Sequence, residues 1–328
     1  KESATKFFGL VGRVIGIDID HQYLDELMLR LPNKVLVCPL DWGLGHASRM
    51  IPVIYSLLKN NNEVIIAADN LPLQLLQNEF PQLTFIRFSS YIVKYSKKKS
   101  LVTSMMKQSP RLLYQIYKEH YELKKIIKKF KITTVISDNR YGLWNKSVNS
   151  IFVTHQLRIM IPSGLKFFSL PVSMFNRFFI KKFNQCWIPD YAGENNISGD
   201  LSHNIPLPDN SKFIGILSRF DLHDKFIVNK YKTDVLVILS GPEPQRTMLE
   251  EIIISQLLDS DYSSVIVAGT MGVESEMQVS PKIRKVSHLN TGEMKQAIIN
   301  SGIVICRSGY SSIMDLVALK KKAILIPT

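Results

Sequence analysis

The stretch Val35-Leu36-Val37-Cys38-Pro39-Leu40-Asp41-Trp42-Gly43-Leu44-Gly45-His46-Ala47-Ser48-Arg49 decides how this chain is read. Its first six residues are an unbroken apolar run, as a parallel strand buried on both faces requires. Two glycines open a tight turn, and from Ala47 to residue 59 apolar residues recur at helical spacing. Strand, glycine turn and helix in that order put the loop at the carboxyl edge of a parallel sheet, where α/β proteins bind ligands. Gly43 and Gly45 allow backbone to approach a ligand closely, and the helix N-terminus offers N–H groups to an anion. His46 stands at the helix start, where an imidazole can accept or deliver a proton near neutral pH. Arg49 follows one turn later.

Outward from this loop the same rhythm continues. Strands are expected at 63–68, 84–88, 133–137 and 150–154, with a long amphipathic helix at 112–130. After a Pro- and Asn-rich passage at 204–210, a second cycle begins. Strands at 234–240, 264–268, 302–306 and 323–327 alternate with helices at 245–258, 293–300 and 311–319. Alternation of this kind predicts an α/β chain of two doubly wound, Rossmann-like domains. The boundaries read as 34–228 and 229–328, after an extension at 1–33 to which no role is assigned. Within that extension 13–20 reads as a strand and 23–31 as a short helix. The chain stops one residue beyond a strand, so the C-terminal domain is expected to be truncated.

Bulk properties narrow the class. The length of 328 residues suits two domains, and 45% hydrophobic residues can fill a core in each. No apolar run is long enough to cross a bilayer. Cys38, Cys186 and Cys306 lie far apart in apolar strings and read as buried free thiols of a reducing compartment; a cytoplasmic location is the default expectation. The net charge of +13 is uneven: residues 1–228 carry 30 Lys and Arg against 18 Asp and Glu, while 229–328 carry 11 against 10. A basic first half suits an anionic substrate or membrane surface; no nucleic-acid-binding motif accompanies it.

Four further strings carry chemistry. Arg307-Ser308-Gly309-Tyr310-Ser311-Ser312 is a small polar turn between a strand and a helix, and its Ser308, Gly309, Ser311 and Ser312 can donate to phosphate. Asp315, one turn into that helix, can accept two ribose hydroxyls. Ser240-Gly241, before Pro242-Glu243-Pro244-Gln245, opens the second domain where backbone would approach a diphosphate, although Glu243 is a poor neighbour for one. Asp138-Asn139-Arg140 and His155-Gln156 each follow a buried strand and suit recognition of hydroxyls on a sugar or acceptor; Asp138 or His46 could be the general base. Residues 165–170 and 175–183 interleave aromatics with Arg177, Lys181 and Lys182, which fits an anionic membrane rim or an ordinary core helix. No metal-ligand cluster is read.

The loop at Gly43–His46 and the turn from Arg307 to Asp315 together resemble the glycosyltransferase family that includes the lipid-II-forming N-acetylglucosaminyltransferase of peptidoglycan synthesis, glycosyltransferase family 28. The similarity covers roughly residues 34–328, strongly at these two places and loosely between them. It is closer still to a bacterial branch with the strings beginning at Asp41, Ser137, Thr154 and Leu239. The resemblance implies a GT-B fold, two Rossmann-like domains facing a cleft, with the nucleotide on the second and the acceptor on the first. It implies an inverting, metal-independent hexosyl transfer from a nucleoside diphosphate sugar, UDP-linked, to a hydroxyl that is lipid- or envelope-linked. No cofactor is implied, the nucleotide sugar being a co-substrate. Two rivals share the fold: a nucleotide-sugar hydrolase with a similar G-x-G-H-x-x-R loop, and a non-catalytic sugar-nucleotide-binding protein.

Overall fold

The computed structural model describes residues 21–31, 33–90, 101–161, 167, 169–220, 232–241, 243–270 and 275–327. The strand expected at 13–20 lies outside them, as do parts of the 165–170 string. Two parallel α/β sheets account for the architecture. The first is seven-stranded, in the order β3-β2-β1-β4-β5-β6-β7. Its strands are β1 Lys34–Cys38, β2 Glu63–Ala68, β3 Thr84–Arg87, β4 Thr134–Asp138, β5 Asn149–Val153, β6 Gln185–Ile188 and β7 Ser211–Phe213. Every neighbouring pair in it is parallel. The second is six-stranded, in the order β10-β11-β9-β8-β12-β13. Here β8 is Thr233–Ile238, β9 Ser264–Val267, β10 Glu276–Ser280, β11 Ile283–Val286, β12 Ser301–Arg307 and β13 Ala323–Ile326. All its pairs are parallel except the edge pair β10–β11.

Eight helices accompany the strands among the described residues: α1 His21–Leu29, α2 Leu44–Lys59, α3 Asn70–Glu79, α4 Leu101–Phe130, α5 Ser169–Ile180, α6 Gln245–Leu258, α7 Thr291–Asn300 and α8 Tyr310–Ala318. Both faces of each sheet need cover, and the side-chain alternation shows how it is supplied. On β8, Val235 and Val237, with Leu239 just past its end, pack with Ile253 and Leu257 of α6. Leu236, between them, faces the other way onto Met294, Ala297 and Ile298 of α7. In the first sheet Leu36, Ile65 and Val135 share a core with Leu123 of α4. That two-sided burial is why the strands read as continuous apolar runs.

The chain divides into two compact units. Described residues 21–42 and 50–217 form one, and 43–49 with 218–327 belong to the other, so α2 begins in one and continues in the other. Helix α1, from the segment read as an extension, packs into the first unit through Leu24, Leu27 and Met28. Its Asp25 accepts a hydrogen bond from Ser56 Oγ (2.5 Å) and pairs with Lys59.

Each sheet has a place where the strand order reverses, and that is where the loops of interest emerge. In the first sheet β1 lies between β2 and β4; in the second β8 lies between β9 and β12. Connections leave in opposite directions from such a point and open a crevice at the carboxyl ends of the two central strands.

Candidate functional site

In the C-terminal unit, β8 and β12 run side by side with Ile238 opposite Cys306. The turns that follow them are therefore neighbours. Gly241 has φ +103°, a conformation open to glycine, and a β-carbon built on it would lie 2.1 Å from Arg307 Nη1. The guanidinium thus lies directly over the Gly241 backbone and donates to Ser240 O (3.4 Å). Ser240, Gly241 and Arg307 converge, and Ser308 and Gly309 follow Arg307 into the N-terminus of α8. Glu243 is turned back on its own helix start: its carboxylate receives Thr247 Oγ1 at 2.8 Å and pairs with Arg246. Those hydrogen bonds, Thr247's first, hold it below the usual glutamate range.

The loop Gly43–Arg49 belongs to this same compact unit. Within it, Ser311 Oγ donates to Gly45 O (2.7 Å), which joins the first glycine turn to the N-terminal turn of α8. Gly43 adopts φ +110°. Along the first turns of α2, Ser48 Oγ donates to Gly45 O (3.0 Å) and a nitrogen of the buried Arg49 guanidinium lies 2.9 Å from His46 Nδ1.

Asp315 sits deeper. Its carboxylate accepts Ser218 Oγ–H (2.7 Å) and lies 3.7 Å from Arg219 Nε. Burial raises its pKa, with Arg219 and the Ser218 hydroxyl opposing. Beside it is a cavity of about 40 Å³ lined in part by Arg219, Ser312 and Cys306. That is room for a water or two, not for a nucleoside. Ser218 and Arg219 went unread in the sequence; the available signal was a Ser-Arg pair inside the apolar string from Phe213 to Phe220.

In the N-terminal unit, Asp138 is opposite Val153, so Asp138-Asn139-Arg140 and Thr154-His155-Gln156 leave adjacent strand ends. Asp138 and His155 are buried. Asn139 holds φ +55°, a conformation that Asn tolerates, with its N–H on Val153 O (3.1 Å). Thr154 Oγ1 accepts from Gln156 N (3.0 Å), and Asn176 of α5 donates to Gln156 O (3.0 Å).

Arg140 is placed differently from its neighbours. Its guanidinium is buried, donating to Glu119 Oε1 (3.1 Å), Phe88 O (3.0 Å) and Ser89 O (3.2 Å), and it lies 4.5 Å from the Phe88 ring centroid. Asp41, also buried, clamps the ends of β2 and β3 by accepting from Asp69 N (3.2 Å) and Ser90 N (2.6 Å). Burial raises the pKa of both Asp41 and Glu119, with Arg140 pulling the other way. Among the described residues, no three His, Cys, Asp or Glu side chains converge as a metal site would need.

The two reversing sheets and their glycine turns define the GT-B class, the two-domain α/β fold of many glycosyltransferases. Within that class, residues 249–328 match the Glycosyltransferase family 28 C-terminal domain. Solved structures agree on the fold. Acinetobacter baumannii MurG is 12% identical with a TM-score of 0.51, over 90% of this chain and 79% of that one. The spinosyn rhamnosyltransferase SpnG is 14% identical at TM-score 0.53, over 90% and 81%. Arabidopsis thaliana UGT89C1 complexed with UDP-L-rhamnose is 12% identical at TM-score 0.55, over 91% and 79%. No curated protein sequence matches the chain.

Proposed function

We propose that this protein transfers a hexosyl group from a nucleoside diphosphate sugar, UDP-linked, to a hydroxyl acceptor, with inversion and without a metal or other cofactor. The observation that carries the reading is the convergence of Ser240, Gly241 and Arg307 at the reversal point of the second sheet. One close-approach glycine, one guanidinium and one helix N-terminus together suit a diphosphate. In the proposed step the acceptor oxygen forms a bond to the sugar's anomeric carbon. The bond to phosphate breaks with its electron pair leaving on the diphosphate, and a base takes the acceptor's proton. His46 and Asp138 are the candidates for that base. Arg307, Ser308, Gly309, Ser311 and Ser312 stabilise the departing charge. With Arg140 committed to Glu119, Asn139, His155 and Gln156 are the candidates for acceptor recognition in the N-terminal unit, and Gly43 and Gly45 are separate candidates in the other. The buried Asp315 positions the helix, and touches ribose only if the Ser218 and Arg219 contacts are released.

We place the protein at the inner face of an anionic membrane. Leu170, Met174 and Phe178, four residues apart on α5, are all exposed, and Phe167 beside them is as well. Arg177, Lys181 and Lys182 flank them, with Lys182 Nζ 4.5 Å from the Phe178 ring centroid. An apolar stripe edged by cations fits an interfacial helix. No helix among the described residues is long and apolar enough to cross a membrane.

Incubation with a panel of UDP-sugars, with and without membrane-derived acceptors, tests the transfer. Sugar incorporation that needs an acceptor supports it. Rapid release of free sugar without one indicates the hydrolase instead.

A further inference from the structure

The contact between Arg49 and His46 fixes something that the motif leaves open. An arginine guanidinium has donors only and keeps its charge, so at 2.9 Å from Nδ1 it can only donate to that atom. Nδ1 must then present a lone pair. A neutral imidazole with an accepting Nδ1 carries its proton on Nε2, and an imidazolium could not accept at all. Residues 46 and 49 are one helical turn apart on α2, and Arg49 is buried, so the helix itself holds the pair in register. Gly45, the residue before His46, is tied through its carbonyl to Ser311 in the same compact unit. His46 therefore directly follows the residue that touches the α8 turn to which the diphosphate is assigned.

We infer that Arg49 is a positioning residue that holds His46 in its Nε2–H tautomer, and that His46 serves as a hydrogen-bond donor to a diphosphate oxygen rather than as the base. The identity of that oxygen rests on the proposed transfer reaction. The tautomer rests on the geometry alone. No proton moves through His46: the electron pair of the broken bond goes to the diphosphate oxygen that Nε2–H meets, and the acceptor's proton goes to a different group, for which Asp138 is the candidate. A hydrogen-bond donor fixed where charge develops is worth about 10²–10³ in rate.

Two readouts test this on the full chain. With ¹⁵N-labelled histidine, long-range proton–nitrogen correlation spectra distinguish a protonated from an unprotonated ring nitrogen; the His46 signals are those lost in His46→Gln. The expected result at neutral pH is a bare Nδ1 and a protonated Nε2, with the bias lost in Arg49→Met. A protonated Nδ1, or an imidazolium, overturns the inference, and the wild-type spectrum decides it even if Arg49→Met does not fold. The second readout is turnover. His46→Ala is expected to lose about 10²–10³-fold, and His46→Gln, which restores an N–H near the Nε2 position, to recover most of that loss. Equal inactivity of the two variants overturns the donor role. A wild type that turns over no nucleotide sugar defeats the transfer reading and leaves the spectrum to judge the tautomer.

Discussion

At the scale of single residues, Gly241 and Arg307 are the most exposed to test. A methyl group at position 241 would occupy the space of the Arg307 guanidinium, and φ +103° is strained for any L side chain. Gly241→Ala is expected to cost about 1–3 kcal/mol in stability and to weaken UDP binding about tenfold or more, as the displaced guanidinium no longer reaches the diphosphate. Urea titration and calorimetry measure the two effects separately. Asp315 makes a prediction about pH. Burial raises its carboxyl above the ordinary 3.8, so the folded chain holds that proton more tightly than the unfolded one. Its stabilising effect is complete below pH 3.8 and declines as pH rises from there through the folded value. Asp315→Asn should flatten that part of the stability curve, read as urea midpoints at stepped pH; an unchanged slope contradicts it.

At the scale of elements, the buried Arg140–Glu119 pair joins the end of β4 to α4. Removing one partner leaves the other charge buried, so Glu119→Ala is expected to destabilise by about 3–5 kcal/mol, measured by urea denaturation. Helix α5 makes the complementary surface prediction. Phe178→Ser with Leu170→Ser should leave stability within about 0.5 kcal/mol, because both side chains are exposed, yet reduce sedimentation with phosphatidylglycerol vesicles. Unchanged sedimentation removes the membrane assignment.

Elements also show what the sequence could express. The helix 245–258 and the strand 63–68 match the structure end for end: Pro244 and Asp259 bound the helix, and Asn62 and Asp69 bound the apolar run of the strand. Apolar periodicity predicts helix α4 from residue 112, whereas it begins at Leu101 and carries Pro110 inside it. A proline reads as a break although a long helix can absorb one with a bend. Strands β6, β7, β10 and β11 went unread; β7 has three residues at a sheet edge, and β10 is largely exposed, so neither shows an apolar run. The burial of Arg140 was illegible for a related reason. Its partner Glu119 lies 21 residues away on a helix, and an arginine in a polar loop reads as a ligand-facing group until its partner is placed.

At the scale of the whole molecule, the three cysteines are buried free thiols, and Cys38, Cys186 and Cys306 are each pushed up to about 12 by burial. Native protein is expected to react slowly with a thiol reagent and to release three equivalents on unfolding in urea. Fast native reaction at any site contradicts the packing. Two parallel sheets with reversing strand order were legible as two cycles of strand, turn and helix, each opened by an apolar run into glycine. The binding roles are a separate matter from the fold, since one architecture serves many chemistries. They are best judged by the ligand itself. Calorimetric titration of the full chain with UDP, alongside GDP and TDP, tests the central claim most directly. One UDP site per chain is expected, lost or weakened about tenfold or more in Arg307→Ala. Failure to bind any of the three nucleotides, or binding indifferent to Arg307→Ala, would contradict it.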